Sequence, residues 1–352
     1  MKIVQLMLGR GYGGAERAFV DTCLALAESG HEVLAVVDSA FYGRGFLQGH
    51  AGITMASLRV RARWDPLARY QLRRQLQQFA PEVVHIHLRR GMALAAGTVK
   101  QLDLPLLASL HNYGNVKAFA KADRLLALTR GHKAYIEAHA GYSPSPNGES
   151  RVDVVPNFSR FPMAEVSIAA DAPLRLLAYG RFVKKKGFDI LLQAFADIRP
   201  MLPDIRLTLV GDGPEREKLA ALLLSLDLSE AVSLSGWTDD VVALLDAHDV
   251  FVLPSLSEPF GIVLLEAMAR GKGIVATTTE GPGEFLTEQE CFFCSPGSVE
   301  SLRDALLVAC QEPDELRQRA SAAHTLFKAE YQPTRVVEKL VAAYTKATGS
   351  VG

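Results

Sequence analysis

The chain has 352 residues, with 38 Lys and Arg against 39 Asp and Glu and a formal net charge of −1 at pH 7. It is 49% apolar and 22% charged, which is ordinary for a globular protein and long enough for two domains. The balance of charge, with no recognised nucleic-acid module, argues against a nucleic-acid partner; no apolar run is long enough to span a bilayer, and Ile3 to Leu8 is too short for a signal-peptide core.

The expected location is therefore the cytoplasm, and the cysteines agree. Cys23 and Cys310 fall in helical patterns as small core residues, and the C-x-x-C of Cys291 and Cys294 lacks the second pair a zinc site needs. No metal is expected. Charge is uneven along the chain: residues 1–165 carry a net of +7 and the remainder a net of −8. Much of the excess lies in Arg59, Arg61, Arg63, Arg69, Arg73 and Arg74, with Arg89 and Arg90 close behind, so the first half is expected to meet something anionic.

In chain order, Lys2 to Leu8 reads as a buried strand, Gly9 to Gly14 as a glycine-rich turn, Ala15 to Ser29 as a helix stopped by Gly30, and Glu32 to Val37 as a second strand. The glycine spacing is not that of a dinucleotide fingerprint. Thr54 to Ala56 reads as a short strand, and Asp65-Pro66 starts a helix to Phe79. Glu82 to His87 is a strand with His85 and His87 on one side. No third metal ligand accompanies them. Met92 to Leu102 is helical, and Pro105 to Leu110 is a strand that delivers His111 into a loop. Arg124 to Ala127 is a strand, Thr129 to His139 a helix, Tyr142 to Ser150 a loop, and Val152 to Val155 a strand. Ser159 to Pro173 has no periodicity and reads as a linker.

A second alternating pattern follows. Strands are expected at Leu174 to Tyr179, Arg206 to Val210, Val232 to Leu234, Asp249 to Leu253 and Gly273 to Ala276. Helices are expected at Gly187 to Ile198, at Pro214 to Leu226 with proline in first position, at Asp239, from Gly261, at Val299 to Gln311, at Asp314 to Tyr331 and at Thr334 to Thr345.

Two stretches carry the chemistry. In Ser255 to Arg270 a buried strand runs through a polar turn into an apolar helix, a combination that makes an anion site because unpaired amides and the helix dipole face outward there. Glu258 and Glu266 bracket it. If the stretch is helical, they are roughly 12 Å apart at about 1.5 Å per residue, the span of a diphosphate with a sugar on each side. Gly180 to Gly187, G-R-F-V-K-K-K-G, is a second, cationic strand-to-helix loop.

The E-x7-E element Glu258 to Glu266 and the G-R-x-x-x-x-K-G of Gly180 to Gly187 resemble the signatures of the retaining glycosyltransferases of family 4, glycosyl transferases group 1. The resemblance implies a GT-B α/β fold, two Rossmann-like β/α/β domains facing across a cleft. Residues 1–165 would bind the acceptor, 166–332 the nucleotide sugar, and 333–352 would form a helix crossing back to the first domain. It implies that Glu258 faces the donor sugar, Glu266 holds the ribose, and Arg181 and Lys186 hold the diphosphate. It places Gly211 in a turn near the donor, Gly236 and Trp237 at the base, and Phe260, Gly261 and Ile262 with the donor-binding turn. In the first domain, Gly13 and Gly14 would allow close approach, and His111 would lie over the donor sugar.

The implied reaction is metal-independent, retaining transfer of a hexosyl group from a UDP- or GDP-sugar, with no cofactor besides that co-substrate. The implied acceptor is a cell-envelope glycan or lipid-linked glycan such as lipopolysaccharide. The stretch Arg59 to Arg74, where Trp64, Leu67 and Tyr70 interleave with arginines, allows a peripheral seat on an anionic inner leaflet. A GT-B-like sugar-nucleotide epimerase and a non-catalytic binding protein are the competing readings, and nothing in the sequence specifies an oligomeric state.

Overall fold

The computed structural model describes every residue except 12, 63, 141–147, 169–172 and 350–352. The chain divides into two compact units, one of Met1–Arg160 with Tyr331–Gly352 and the other of Phe161–Glu330.

The first unit runs β1 (Lys2–Met7), α1 (Gly14–Glu28), β2 (Glu32–Asp38), β3 (Ile53–Leu58), α2 (Pro66–Phe79), β4 (Val83–His87), α3 (Leu88–Gln101), β5 (Leu106–Ser109), β6 (Arg124–Ala127), α4 (Arg130–Ala140) and β7 (Val152–Val154). The strands form one sheet in the order β3-β2-β1-β4-β5-β6-β7, every pair parallel. Helices cover both faces, so β1, β4 and β5 are buried at every residue save Lys2 and are apolar apart from Gln5, His85, His87 and Ser109.

Asp65 caps α2 by accepting the amides of Leu67 and Ala68, Pro66 takes the first helical position, and Ala68, Leu72 and Leu76 return every four residues to the core. Helix α3 begins at Leu88 rather than Met92. Leu88 turns sharply out of β4 with φ of 66°, and Gly91 lies so close to the sheet that a Cβ would meet Ile86 Cγ2 at 2.6 Å. The expected loop Tyr142 to Ser150 lies largely outside the described residues.

The terminal helix (Pro333–Thr348) belongs to this unit. Val336, Val337, Leu340, Ala343 and Tyr344 are buried in one cluster with Phe19, Val83 and Leu107, and Lys346 pairs with Asp153 at 3.1 Å.

The second unit runs β8 (Arg175–Tyr179), α5 (Phe188–Ile198), β9 (Arg206–Val210), α6 (Arg216–Ser225), β10 (Val232–Ser235), α7 (Val241–Asp246), β11 (Val250–Leu253), α8 (Ile262–Ala269), β12 (Gly273–Thr277), α9 (Pro282–Phe285), β13 (Phe292–Cys294), α10 (Val299–Gln311) and α11 (Pro313–Leu326). Its parallel sheet has the order β10-β9-β8-β11-β12-β13. In each sheet the strand order reverses beside the first strand, between β1 and β4 and between β8 and β11, and ligands of such sheets bind outside the strand ends at that reversal.

Two expectations are corrected, and the start of α7 is refined. Pro214 is not the first residue of a helix: Asp212 accepts the Gly213 amide at 2.7 Å, Gly213 turns with φ of 154°, and α6 starts at Arg216. Helix α7 starts at Val241, because Asp240 caps it by accepting the Ala243 amide. Short elements α9 and β13 were not expected; their Pro-Gly and Cys-flanked sequences are too brief to show a period.

Candidate active site

At the carboxyl edge of the second sheet, the loops after β8, β9 and β11 interlock. Gly211 leaves β9 so close to the first loop that a Cβ would meet the Gly180 carbonyl at 2.0 Å, and one on Gly213 would meet the Phe182 carbonyl at 2.4 Å. Gly187 closes the cationic loop with φ of 65°, and a Cβ there would meet the Pro254 carbonyl at 2.1 Å. The Leu256 amide donates to the Lys185 carbonyl at 2.8 Å. The cationic loop and the E-x7-E turn, 72 residues apart in sequence, are thus bonded to one another, and Lys186 Nζ pairs with Glu258 Oε2 at 2.5 Å.

Glu258 is further placed by Glu280, which accepts its amide at 3.1 Å, and by Gly281, whose amide donates to the Glu258 carbonyl at 2.9 Å. Phe260 stacks on Phe285 with ring centroids 4.9 Å apart. Gly261 turns with φ of 92° into α8, whose first residue is Ile262. Arg181 is exposed, as are Lys184 and Lys185. Trp237 is 60% exposed beside Gly236 at the end of β10, so it is not core packing of this unit.

Glu266 differs from its expected setting. Only the part of E-x7-E from Ile262 onward is helical, so a span computed from helical rise does not apply to Glu258. Helix α8 is buried nearly all round, and Glu266 is wholly buried, accepting the Tyr179 hydroxyl from the end of β8. A ribose hydroxyl bonding to Glu266 Oε2 would have to share that oxygen with Tyr179 or displace it. Sequence reasoning missed Tyr179 and Glu280; both come from strand ends at this edge, but neither has a local signal.

The thiols Cys291 and Cys294 are buried, and burial pushes Cys294 up to about 12 and Cys291 well above its ordinary value, so both are protonated at neutral pH. Among the described residues no group of three or more His, Cys, Asp or Glu is placed to hold a metal ion.

In the first unit, Gly13 and Gly14 open α1. The Gly13 amide donates to Glu16 Oε2 at 3.1 Å, and Glu16 lies over the glycine loop, 2.5 Å from where a Cβ of Gly9 would stand. Glu16 therefore occupies the Gly13 amide and sets a carboxylate at the positive end of the helix, so an anion bonding to that amide would have to displace it.

His111 ends a chain of buried hydrogen bonds. His87 Nδ1 lies 3.0 Å from His111 Nε2, and His87 Nε2 lies 2.8 Å from Gln5 Oε1. Gln5 Nε2 donates to the Tyr344 hydroxyl at 2.7 Å, which lies 2.9 Å from His85 Nδ1. His85 Nε2 lies 2.8 Å from Ser109 Oγ.

Burial lowers His85 to about 3 and His111 to about 4, with the His132 charge adding to the latter, and holds His87 well below its usual range. All three are neutral at pH 7, so each ring has one N–H. With the Gln5 amide donating to Tyr344, its oxygen must accept from His87 Nε2–H. His87 Nδ1 then accepts from His111 Nε2–H, and His111 Nδ1 is left as a bare acceptor. That atom is buried and has no partner among the described residues. A group with a hydroxyl to donate would satisfy it.

Two doubly wound parallel sheets, with paired glycine-bearing loops at the second, define an α/β protein of GT-B architecture. Comparison with known proteins makes this specific. Residues 12–159 match the family described as Glycosyltransferase Family 4, and residues 163–325 match Glycosyl transferases group 1. The chain is 31% identical over 296 residues to "Lipopolysaccharide core biosynthesis glycosyltransferase LpsE" of Rhizobium meliloti (strain 1021), covering 82% of this chain and 83% of that one. It is 29% identical over 348 residues to LpsD of the same organism, also described as a lipopolysaccharide core biosynthesis glycosyltransferase, covering 97% and 96%. Its fold matches Anabaena Alr3699/HepE, solved in complex with UDP-glucose, with a TM-score of 0.80 at 19% identity over 98% of this chain and 100% of that one. The chain belongs to the group 1, family 4 glycosyltransferases.

Two expectations follow for the histidine chain. Because the native pKa values lie below the ordinary 6.5, the unfolded chain binds more protons than the native one as pH falls from about 6.5 toward 4. Stability present above that window is lost across it, and urea unfolding at a series of pH values measures the slope; a flat profile there would show that these histidines are not buried neutral. Second, 15N NMR of the imidazoles should show His111 with Nε2 protonated and Nδ1 bare. Tyr344→Phe should cost about 1–3 kcal/mol and turn that signal into a mixture of tautomers, whereas an unaltered His111 spectrum would break the proposed connection.

Proposed function

We propose that the chain is a retaining, metal-independent hexosyltransferase that takes its sugar from a UDP- or GDP-linked donor and passes it to a lipopolysaccharide core saccharide. The observation that carries this reading is the bonded pair of loops at the β8/β11 reversal, which sets Lys186 against Glu258 with Arg181 on the same cationic loop. The relatives' part in lipopolysaccharide core biosynthesis supports the acceptor class, and the neighbour's UDP-glucose complex supports a nucleotide-sugar donor.

In this reaction the bond from the anomeric carbon to the diphosphate oxygen breaks and its electron pair stays on the diphosphate. Arg181, Lys186 and the amides before α8 stabilise that charge as it grows. The acceptor oxygen attacks from the face the diphosphate leaves, and the departing phosphate oxygen takes the acceptor's proton, so configuration is kept. Cationic side chains and amides do the work a metal would do. Glu258 orients the donor sugar through its hydroxyls, and His111 accepts a hydroxyl hydrogen bond at Nδ1. An epimerase would need free acid and base carboxylates, yet Glu258 is ion-paired and Glu266 is bonded to Tyr179.

The ion pair makes a test with a sign. Lys186 must loosen from Glu258 to meet a diphosphate, so Glu258→Gln should bind UDP or GDP more tightly while transfer falls by about a hundredfold. Lys186→Ala should lose both. Nucleotide affinity by calorimetry and the product's anomeric configuration by proton NMR read these outcomes; inverted product or nucleotide affinity indifferent to Lys186 would falsify the reading.

We further propose a cytoplasmic protein seated on the anionic inner leaflet of the membrane through its first unit. Among the described residues no helix is long and apolar enough to cross a membrane. Trp64, Leu67 and Tyr70 are 66%, 60% and 63% exposed, and Arg59, Arg61, Arg69, Arg73 and Arg74 are exposed around them; Arg63 lies outside the described residues. Flotation on vesicles with phosphatidylglycerol should retain the protein, and Trp64→Ala with Tyr70→Ala should release it. Equal binding to neutral vesicles would end the idea.

A further inference from the structure

The first unit holds a pair of arginines that the reaction above does not use. Arg10 follows β1, and Arg90 lies in the first turn of α3, so they stand on either side of the strand-order reversal at the sheet's carboxyl edge. Both reach for the same two groups. Arg10 donates to Asp38 Oδ1 at 3.2 Å and to the Val60 carbonyl at 3.0 Å. Arg90 donates to Asp38 Oδ2 at 3.1 Å and to the same carbonyl at 2.9 Å.

Asp38 is 1% exposed, while the arginine side chains are 52% and 37% exposed. One buried carboxylate therefore mounts two cations, and a net positive charge remains facing water. Nη1 of Arg10 and Nε and Nη1 of Arg90 keep N–H groups that no described residue accepts. The turn that follows β2 presents Tyr42, 69% exposed, and Phe46, 55% exposed, and the Tyr42 amide donates to the Arg10 carbonyl at 3.4 Å.

A fixed pair of guanidiniums suits an oxyanion, because the N–H groups left on Arg10 Nη1 and on Arg90 Nε and Nη1 can each give a charge-assisted bond while Asp38 and the Val60 carbonyl leave little rotamer freedom to lose. Exposed aromatic rings on the turn whose backbone is bonded to Arg10 suit the apolar faces of a sugar. We propose that Arg10 and Arg90, mounted on Asp38, form a subsite for a phosphate or carboxylate carried by the saccharide acceptor, with Tyr42 and Phe46 as contacts for its rings. The proposal rests on the glycosyl-transfer reading and names the acceptor's chemistry: an anionic saccharide rather than a neutral one.

The test is titration calorimetry of the full chain with glucose 6-phosphate, galacturonate, glucose and inorganic phosphate as probes. The two charged sugars should bind and glucose should not. Arg10→Gln, which leaves Asp38 its Arg90 partner, should weaken both by about tenfold or more, and Arg10→Lys should recover part of the loss with its melting temperature unchanged. Arg181→Ala, in the second unit, should leave binding as it was.

Glucose binding as well as its phosphate, or a loss with Arg181→Ala instead of Arg10→Gln, would overturn the subsite. Inorganic phosphate matching the sugar phosphate would assign the arginines to a free ion. Loss of phosphatidylglycerol-vesicle binding in Arg10→Gln with sugar binding intact would assign them to a lipid surface. None of these readouts needs turnover, so a chain that binds charged sugars at Arg10 yet transfers nothing would sink the transferase reading and keep the subsite.

Discussion

The contact on which the second unit's chemistry depends is the seam between the loops after β8 and β11. Gly187 can turn there only because it has no Cβ to strike the Pro254 carbonyl, and the Leu256 amide bonds directly to the Lys185 carbonyl. The backbone thus decides where Lys186 and Glu258 stand before any ligand arrives. Their ion pair is mostly shielded from water, a setting in which losing one partner leaves the other costly to keep. On the proposed reading, a diphosphate entering this edge meets a Lys186 whose loop is already held by its neighbour, which is what preorganisation means in physical terms.

A comparable economy governs the first unit. Gln5, His85 and His87 lie on two adjacent central strands, and a sheet buried on both faces cannot tolerate such groups unless each is bonded. Tyr344 supplies the missing partner from the terminal helix, whose apolar face already packs there. The same hydroxyl that makes the helix fit also fixes which way the hydrogen bonds run, and so which nitrogen of His111 is left bare. Anchoring and the direction of the hydrogen-bond chain share one side chain.

Much of this was legible in the sequence, for identifiable reasons. Strands buried on both faces announce themselves as apolar runs, and Asp65-Pro66 marked the start of α2 because a cap and a proline act within three residues. The cationic loop and E-x7-E turn were visible as motifs, and their adjacency followed from placing each after a strand of one sheet. What was hidden is relational. An apolar helix with a single glutamate gives no phase, so the burial of Glu266 depended on Tyr179, 87 residues away. The Gln5–Tyr344 bond joins residues 339 positions apart, and no local pattern encodes it. Arg90 looked like one more surface cation because its partner Asp38 ends a different strand.

The two sheets also show how similar topologies arrive at opposite electrostatics. In the second unit the loop beside the reversal carries cations. In the first, the glycine loop that resembles a phosphate cradle is filled by Glu16, which takes the Gly13 amide and sets a carboxylate on the positive end of α1. A phosphate offered to those amides would meet like charge. The positive charge left at the first sheet's edge therefore lies on the guanidiniums of Arg10 and Arg90 rather than on backbone amides, because one buried aspartate cannot neutralise both. An amide nest accepts any small anion that fits. A pair of fixed guanidiniums beside exposed aromatic rings can select for what is attached to the oxyanion, and on the proposed reading an acceptor site needs that distinction if the donor's own diphosphate is not to occupy it.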